Sequence, residues 1–277
     1  MCSHETGPIG IFDSGYGGLT IMDKILDRLP EYDYLYLGDN ARAPYGSRSF
    51  DVVYEFTLQA VKQLFSMGCH LVILACNTAS AKALRTIQQH DIPQLDPSRR
   101  VLGVIRPTVE VIGNITRTRH VGIVATLGTI LSESYSLEIN KFHPDIIVTE
   151  KACPLWVPLI ENNEYNSSGA DYFVKKYLDE LLHKDPLIDT VVLGCTHYPL
   201  LFNKIRSYLP DSIRILSQGE YVAEALVSYL NRHPAIESLC AKNGQRTFLT
   251  TESEQKFIES ASVFLHRSIK AQRIILG

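Results

Sequence analysis

Residues 71–78 read Leu-Val-Ile-Leu-Ala-Cys-Asn-Thr, and residues 191–197 read Val-Val-Leu-Gly-Cys-Thr-His. Each is a short apolar run that stops at a cysteine followed by small hydrogen-bonding side chains. Such a run reads as a buried parallel strand that delivers its last residue to the carboxyl edge of a sheet, where open α/β sheets bind their ligands. Two thiols delivered in this way point to chemistry on both sides of one small substrate.

The same punctuation spreads outward from both cysteines. Ile9 to Phe12 is a strand that stops at Asp13-Ser14-Gly15-Tyr16-Gly17-Gly18, and Leu19 to Leu29 then carries apolar residues at helical spacing. Tyr34 to Leu37 is a second strand, Ser49 to Met67 a long helix, and Leu71 to Ala75 a third strand. This βαβ rhythm implies a parallel sheet with right-handed crossovers. The order then recurs: Val121 to Ala125 stops at Thr126, Ile146 to Val148 at Thr149-Glu150, and Val191 to Leu193 at Gly194-Cys195. Asp13 and Cys76 are 63 positions apart, Thr126 and Cys195 69, so three strands repeat in register and indicate an internal duplication.

A chain of 277 residues favours two domains, and 45% hydrophobic content is enough for two cores. The turn-rich stretch from Ile92-Pro93 to Asp96-Pro97 suits a linker, with Val101 to Val104 opening the second half. Residues 1–98 together with 211–277 are expected to form the first α/β domain, with the Cys76 half-site. Residues 99–210 form the second, with the Cys195 half-site. Ile213 to Leu216, a helix over Tyr221 to Leu230 and an amphipathic helix over Glu254 to His266 follow, and pattern alone does not place this tail.

Net charge is -3 without a dense run of Lys or Arg, which argues against nucleic acid or an anionic lipid surface as partner. No apolar stretch reaches the length of about 20 residues needed to cross a bilayer, and the first ten residues lack the charged-then-apolar order of a secretory signal. A soluble, cytoplasmic protein is expected. The six cysteines, at 2, 69, 76, 153, 195 and 240, form no C-x-x-C pair and read as free thiols in a reducing compartment.

Inverting a carbon that bears an amine and a carboxylate requires a base on one face and an acid on the other, and a thiolate/thiol pair can supply both. Cys76 and Cys195 each precede an expected helix start, at Thr78 and Pro199, whose dipole would lower the thiol pKa from about 8.5 toward the working pH. Asp13-Ser14 ends the first strand, where its carboxylate is placed to meet a substrate ammonium or tune a thiol; helix capping is the other use of such a pair. His197, two residues after Cys195, suits the base or proton source of that thiol. Cys2, Cys69, Cys153 and Cys240 lack such neighbours and read as core cysteines.

The segments Gly10 to Gly18, Tyr36 to Asp39, Pro44-Tyr45-Gly46, Ala75 to Ala79 and Gly194 to Pro199 resemble those of the glutamate racemases, within the aspartate/glutamate racemase group. Further similarity at Gly103 to Pro107, at Ala152 to Glu161 and over Phe248 to Leu265 extends the match nearly end to end. The resemblance implies a cofactor-independent racemase that works as a homodimer on a small-molecule substrate and supplies D-glutamate for bacterial peptidoglycan. It also implies two α/β domains with mainly parallel sheets, related by a pseudo-twofold axis around the site. Cys76 would exchange the α-proton of the D enantiomer, assisted by Asp13. Cys195 would exchange that of the L enantiomer, assisted by His197, with Glu161 orienting the histidine. Asp13, Ser14, Tyr45, Gly46, Asn77, Thr78, Thr196 and His197 would bind substrate, and no metal is implied. Thr126 and Thr129 hold the repeat position of Asp13-Ser14 and are secondary candidates. Arg106 departs from the acid that many relatives carry.

Two other classes compete. A dinucleotide enzyme would use Gly15-x-Gly17 with Asp39 ending the next strand, but Thr20 stands where the third glycine belongs. A zinc-binding or amino-acid-sensing module would use Cys76, Cys195 and His197, of which only the last two are closely spaced.

Overall fold

The computed structural model describes residues 5–265 and 268–277; Cys2 and His266 lie outside them. Among the described residues ten strands form two sheets, and every pairing is parallel. The first sheet has β1 (Ile9–Asp13), β2 (Tyr34–Gly38), β3 (Leu71–Leu74) and β4 (Arg100–Gly103) in the order β2-β1-β3-β4. The second has β5 (His120–Ala125), β6 (Ile147–Ala152), β7 (Thr190–Gly194) and β8 (Arg214–Leu216) in the order β6-β5-β7-β8. The two orders are the same, so the duplication spans four strands rather than three.

This moves two strands. Val101 to Val104, expected to open the second half, closes the first sheet beside β3, with Val101 opposite Val72. Ile213 to Leu216, expected in the first domain, closes the second sheet beside β7. Both are edge strands, exposed at their first residue and too short to show a pairing partner in their own sequence. The chain therefore crosses between halves near Val104 and near Gln218. The stretch expected to be a linker holds a short helix, Ile92–Leu95.

Alternation along the central strands builds the layers. In β1 to β3, Ile9, Ile11, Tyr34, Tyr36, Leu71 and Ile73 face one core, and Phe12, Leu35, Leu37, Val72 and Leu74 face the other. The helix Leu19–Arg28 covers the first face through Leu19, Met22 and Ile25, and the helix Phe50–Ser66 covers the second through Val53, Val61 and Leu64. Ser49 caps the latter helix by accepting from the Val52 N–H. In the second half the helices Ile105–Ile115 and Ser134–Phe142 cover one face of the sheet, and Ser168–Lys184 the other.

The tail completes the first half. β9 (Arg246–Thr250) adds to β2 and β10 (Gln272–Arg273) to β9, while the helix Glu254–Leu265 sets Phe257 and Phe264 against Tyr16. Among the described residues no helix is long and apolar enough to cross a membrane.

Candidate active site

Parallel strands put all their carboxyl ends on one edge, and residues at or just past the ends of β1, β2 and β3 in one half and of β5, β6 and β7 in the other lie there. They are Asp13, Asp39 and Cys76 in the first half, and Thr126, Cys153 and Cys195 in the second. A cavity of about 280 Å³ lies between these edges, lined from one half by Ser14, Tyr45, Gly46, Cys76, Asn77 and Thr78. Thr126, Cys153, Glu161, Cys195, Thr196 and His197 line it from the other half. Ten of the eleven sequence-selected site residues are in this lining; Asp13 is fully buried behind it.

Cys76 ends its strand as the N-cap of the helix Asn77–Lys82. Its Sγ lies 3.4 Å from the Ala79 N–H and 3.4 Å from Ser14 Oγ. These donors favour a thiolate, but burial, with the Asp13 charge adding to it, outweighs them and pushes the thiol up to about 12. The expected lowering by the helix is thus overturned here by desolvation. Asp13 accepts from the Gly15 N–H at 2.9 Å and from the Thr196 hydroxyl at 3.3 Å, which joins it to the other half. Burial raises its pKa above the ordinary range, against the pull of His197 and these hydrogen bonds.

Cys195 is not a helix cap: a 3₁₀ turn, Tyr198–Leu201, follows it before the helix Phe202–Tyr208. Its neighbour is His197, with Nδ1 3.9 Å from Sγ and Nε2 3.0 Å from Glu161 Oε1. Burial works against an imidazolium, yet the contacts with Cys195 and Glu161 overcome it and hold His197 up at about 10. Phe264 stands edge-on to the ring at 5.8 Å.

The glycine loop serves contact between the halves. A Cβ on Gly17 would sit 2.3 Å from Thr196 Oγ1 and 2.5 Å from His197 Nδ1, so the loop carries glycine because the second half presses against it. Asp39 is likewise engaged: it accepts from Arg42 Nε and the Thr251 and Tyr45 hydroxyls, which leaves it no ribose role. The Tyr45 hydroxyl is therefore committed to Asp39. Gly46 lies against Thr126, and its carbonyl accepts from the Gly128 N–H at 2.7 Å. Thr78, Thr126 and Thr129 close a triangle of hydroxyls with sides of 2.9 to 3.2 Å across the same seam.

Cys153, read from sequence as a core cysteine, is buried in the core and also lines the cavity as the residue after β6. The strand runs through Ala152, four residues past the expected end, because it is a half-exposed edge strand whose polar residues hide its length. Its repeat position opposite Asp39 was the signal that could have found it. Burial holds its thiol well above the ordinary range. Cys69 and Cys240 are core residues, the latter with Sγ 3.3 Å from the Ile236 carbonyl. Arg106 is half exposed beside Glu110 and Glu138, away from the lining. Among the described residues no group of three His, Cys, Asp or Glu side chains is arranged to hold a metal.

Residues 9–226 match the family model described as Asp/Glu/hydantoin racemase. The chain is 39% identical over 272 residues to a glutamate racemase of Roseobacter denitrificans, covering 95% of this chain and 98% of that protein. It superposes on the crystal structure of a glutamate racemase isoform from Bacillus anthracis with a TM-score of 0.88 at 33% identity, covering 98% of each chain. A glutamate racemase from Francisella tularensis in complex with D-glutamate gives 0.86 at 33% identity, again over 98% of each.

Proposed function

The chain belongs to the Asp/Glu/hydantoin racemase family, its activity is that of an amino-acid racemase interconverting the enantiomers of glutamate, and from that premise we propose how its residues do so. Racemisation removes the α-proton from one face and returns a proton to the other. In the L to D direction the Cys195 thiolate takes the α-proton, the electron pair left on carbon spreads into the adjoining carboxylate, and the Cys76 S–H gives its proton to the opposite face. Cys195 then holds a thiol and Cys76 a thiolate, and the D to L direction runs the same steps backward. One observation carries this assignment: two cysteines at equivalent strand ends of a repeated sheet line a single cavity.

The assistants follow from their neighbours. A protonated His197, steadied by Glu161, is the counter-ion of the Cys195 thiolate and, after Cys195 has given its proton in the D to L direction, the source from which that thiolate is reprotonated. Asp13, whose charge favours the protonated form of Cys76, assists that thiol. Ser14, Asn77, Thr78 and Thr196 offer hydroxyls and an amide to the substrate carboxylates and ammonium, with the Tyr45-Gly46 loop closing the cavity above them. The scheme needs no cofactor or metal.

We extend this to a cytoplasmic homodimer that supplies D-glutamate for bacterial peptidoglycan, and divide its domains at the crossings near 104 and 218 rather than at 98 and 210. The two-thiol assignment is tested by Cys76→Ala and Cys195→Ala. Each is expected to abolish racemisation with the melting temperature retained, and full activity in either one overturns it.

A further inference from the structure

Asn77 directly follows Cys76 and lines the cavity, yet its carboxamide is held by the chain crossings. Its Nδ2 donates to Gln218 Oε1 at 2.6 Å, and its Oδ1 accepts from the Tyr135 hydroxyl at 2.7 Å. Gln218 Nε2 lies 2.8 Å from that same hydroxyl, 2.9 Å from Thr108 Oγ1 and 3.3 Å from the Val104 carbonyl. Three side chains thus close a ring in which Asn77 donates to Gln218, Gln218 to Tyr135, and Tyr135 to Asn77.

The Val104 carbonyl gives the ring its direction, because it can only accept. Turning the Gln218 amide over would set two carbonyl oxygens together, and turning Asn77 over would do the same against Gln218 Oε1. With one Asn77 N–H taken by Gln218, the amide keeps a second for the cavity. All three are buried: Asn77 opens the helix Asn77–Lys82, Tyr135 is on the helix Ser134–Phe142, and Gln218 precedes the helix Gly219–Arg232, while Thr108, which Gln218 also meets, is on the helix Ile105–Ile115.

We propose that Gln218 is a positioning residue of the racemase site, holding the Asn77 carboxamide so that its second N–H meets a substrate carboxylate. This rests on the assignment of Asn77 as a substrate-binding residue. It also makes the second crossing part of the site: the amide keeps its aim only while the two halves keep their present relation. Sequence spacing gives no hint of it, since Gln218 lies 141 positions from Asn77.

The test is a double-mutant cycle read in kcat and KM for L-glutamate on the full chain, with Gln218→Met, Asn77→Ala and their combination. Methionine keeps the length of glutamine but cannot hold the ring. Gln218→Met is expected to lower kcat/KM about tenfold, the effect of one mis-set hydrogen bond, chiefly through KM, and by less than about twofold in the Asn77→Ala background. Equal losses in both backgrounds, or a lower melting temperature with KM unchanged, overturn the proposal and leave Asn77 as a binder. Unchanged kcat/KM in Asn77→Ala overturns the binding assignment and the proposal with it. Tyr135→Phe, which removes one oxygen of the same ring, is the second arm if Gln218→Met does not fold; it is expected to raise KM, and an unchanged KM there is equally contrary.

Discussion

His197 shows how neighbours set the chemistry of a single side chain. Its pKa of about 10 in the fold lies above the ordinary value of about 6.5. The partnered imidazolium therefore contributes its full stability below about pH 6.5 and loses it as pH rises through about 10. Nitrogen-15 NMR should find His197 still protonated at about pH 8, where an unperturbed histidine is neutral. Glu161→Gln removes one of the causes that raise it, so the pKa falls, and the melting-temperature gap to the parent protein should be wider near neutral pH than above the folded pKa. Asp13 and His197 also make the half-sites unequal. Enantiomers have equal free energies, so kcat/KM must remain the same in both directions for every variant. Asp13→Asn and His197→Asn are accordingly expected to lower the two kcat values by different factors, with KM following. The bond from Thr196, the neighbour of His197, to Asp13 links the two half-sites and makes this a difference of degree. Both thiols, Asp13 and His197 were readable from local sequence because each sits at or just after a strand end. The Asn77, Gln218 and Tyr135 ring was not, because hydrogen bonds between distant segments leave no periodic mark.

Among the elements, strands buried on both faces declared themselves and edge strands did not. β1, β3, β5 and β7 are continuous apolar runs, since helices cover both sides of the sheets. β4 and β8 read as strands but carry no mark of the half they join, and β6 reads shorter than it is, because edge residues need satisfy only one neighbour. The tail resisted placement for a related reason: β9 extends a sheet whose pattern is already complete without it. Phe257 tests that placement, being fully buried against Tyr16 and Tyr36. Phe257→Ala should cost about 3–5 kcal/mol in denaturant unfolding, whereas a loss under about 1 kcal/mol would mean the tail is peripheral to the core. The glycine loop makes a sharper demand. Gly17→Ala drives a methyl group into Thr196 and His197, so it should impair activity far more than Gly169→Ala, which meets no atom closer than 3.5 Å.

Over the whole molecule, duplication explains why one sequence delivers two cysteines to one cavity, the pair on which the proposed two-thiol scheme rests. A repeated β2-β1-β3-β4 order turns two strand-end edges toward each other, and divergence after the repeat leaves Asp13 at one edge and His197 beside Cys195 at the other. The seam is made of short groups, with Gly17 against Thr196, Gly46 against Thr126 and a triangle of threonine hydroxyls, so the halves approach closely enough to share a small substrate. Two thiols acting from opposite halves leave a signature in the first turnovers in heavy water. Purified protein without added cofactor is given L-glutamate in deuterium oxide, and the α-carbon of product and residual substrate is followed by NMR. The D-glutamate formed first should carry deuterium at Cα while the remaining L-glutamate still carries its proton. D-glutamate that retains the substrate's own proton would mean a single base serving both faces, and would contradict the two-thiol site.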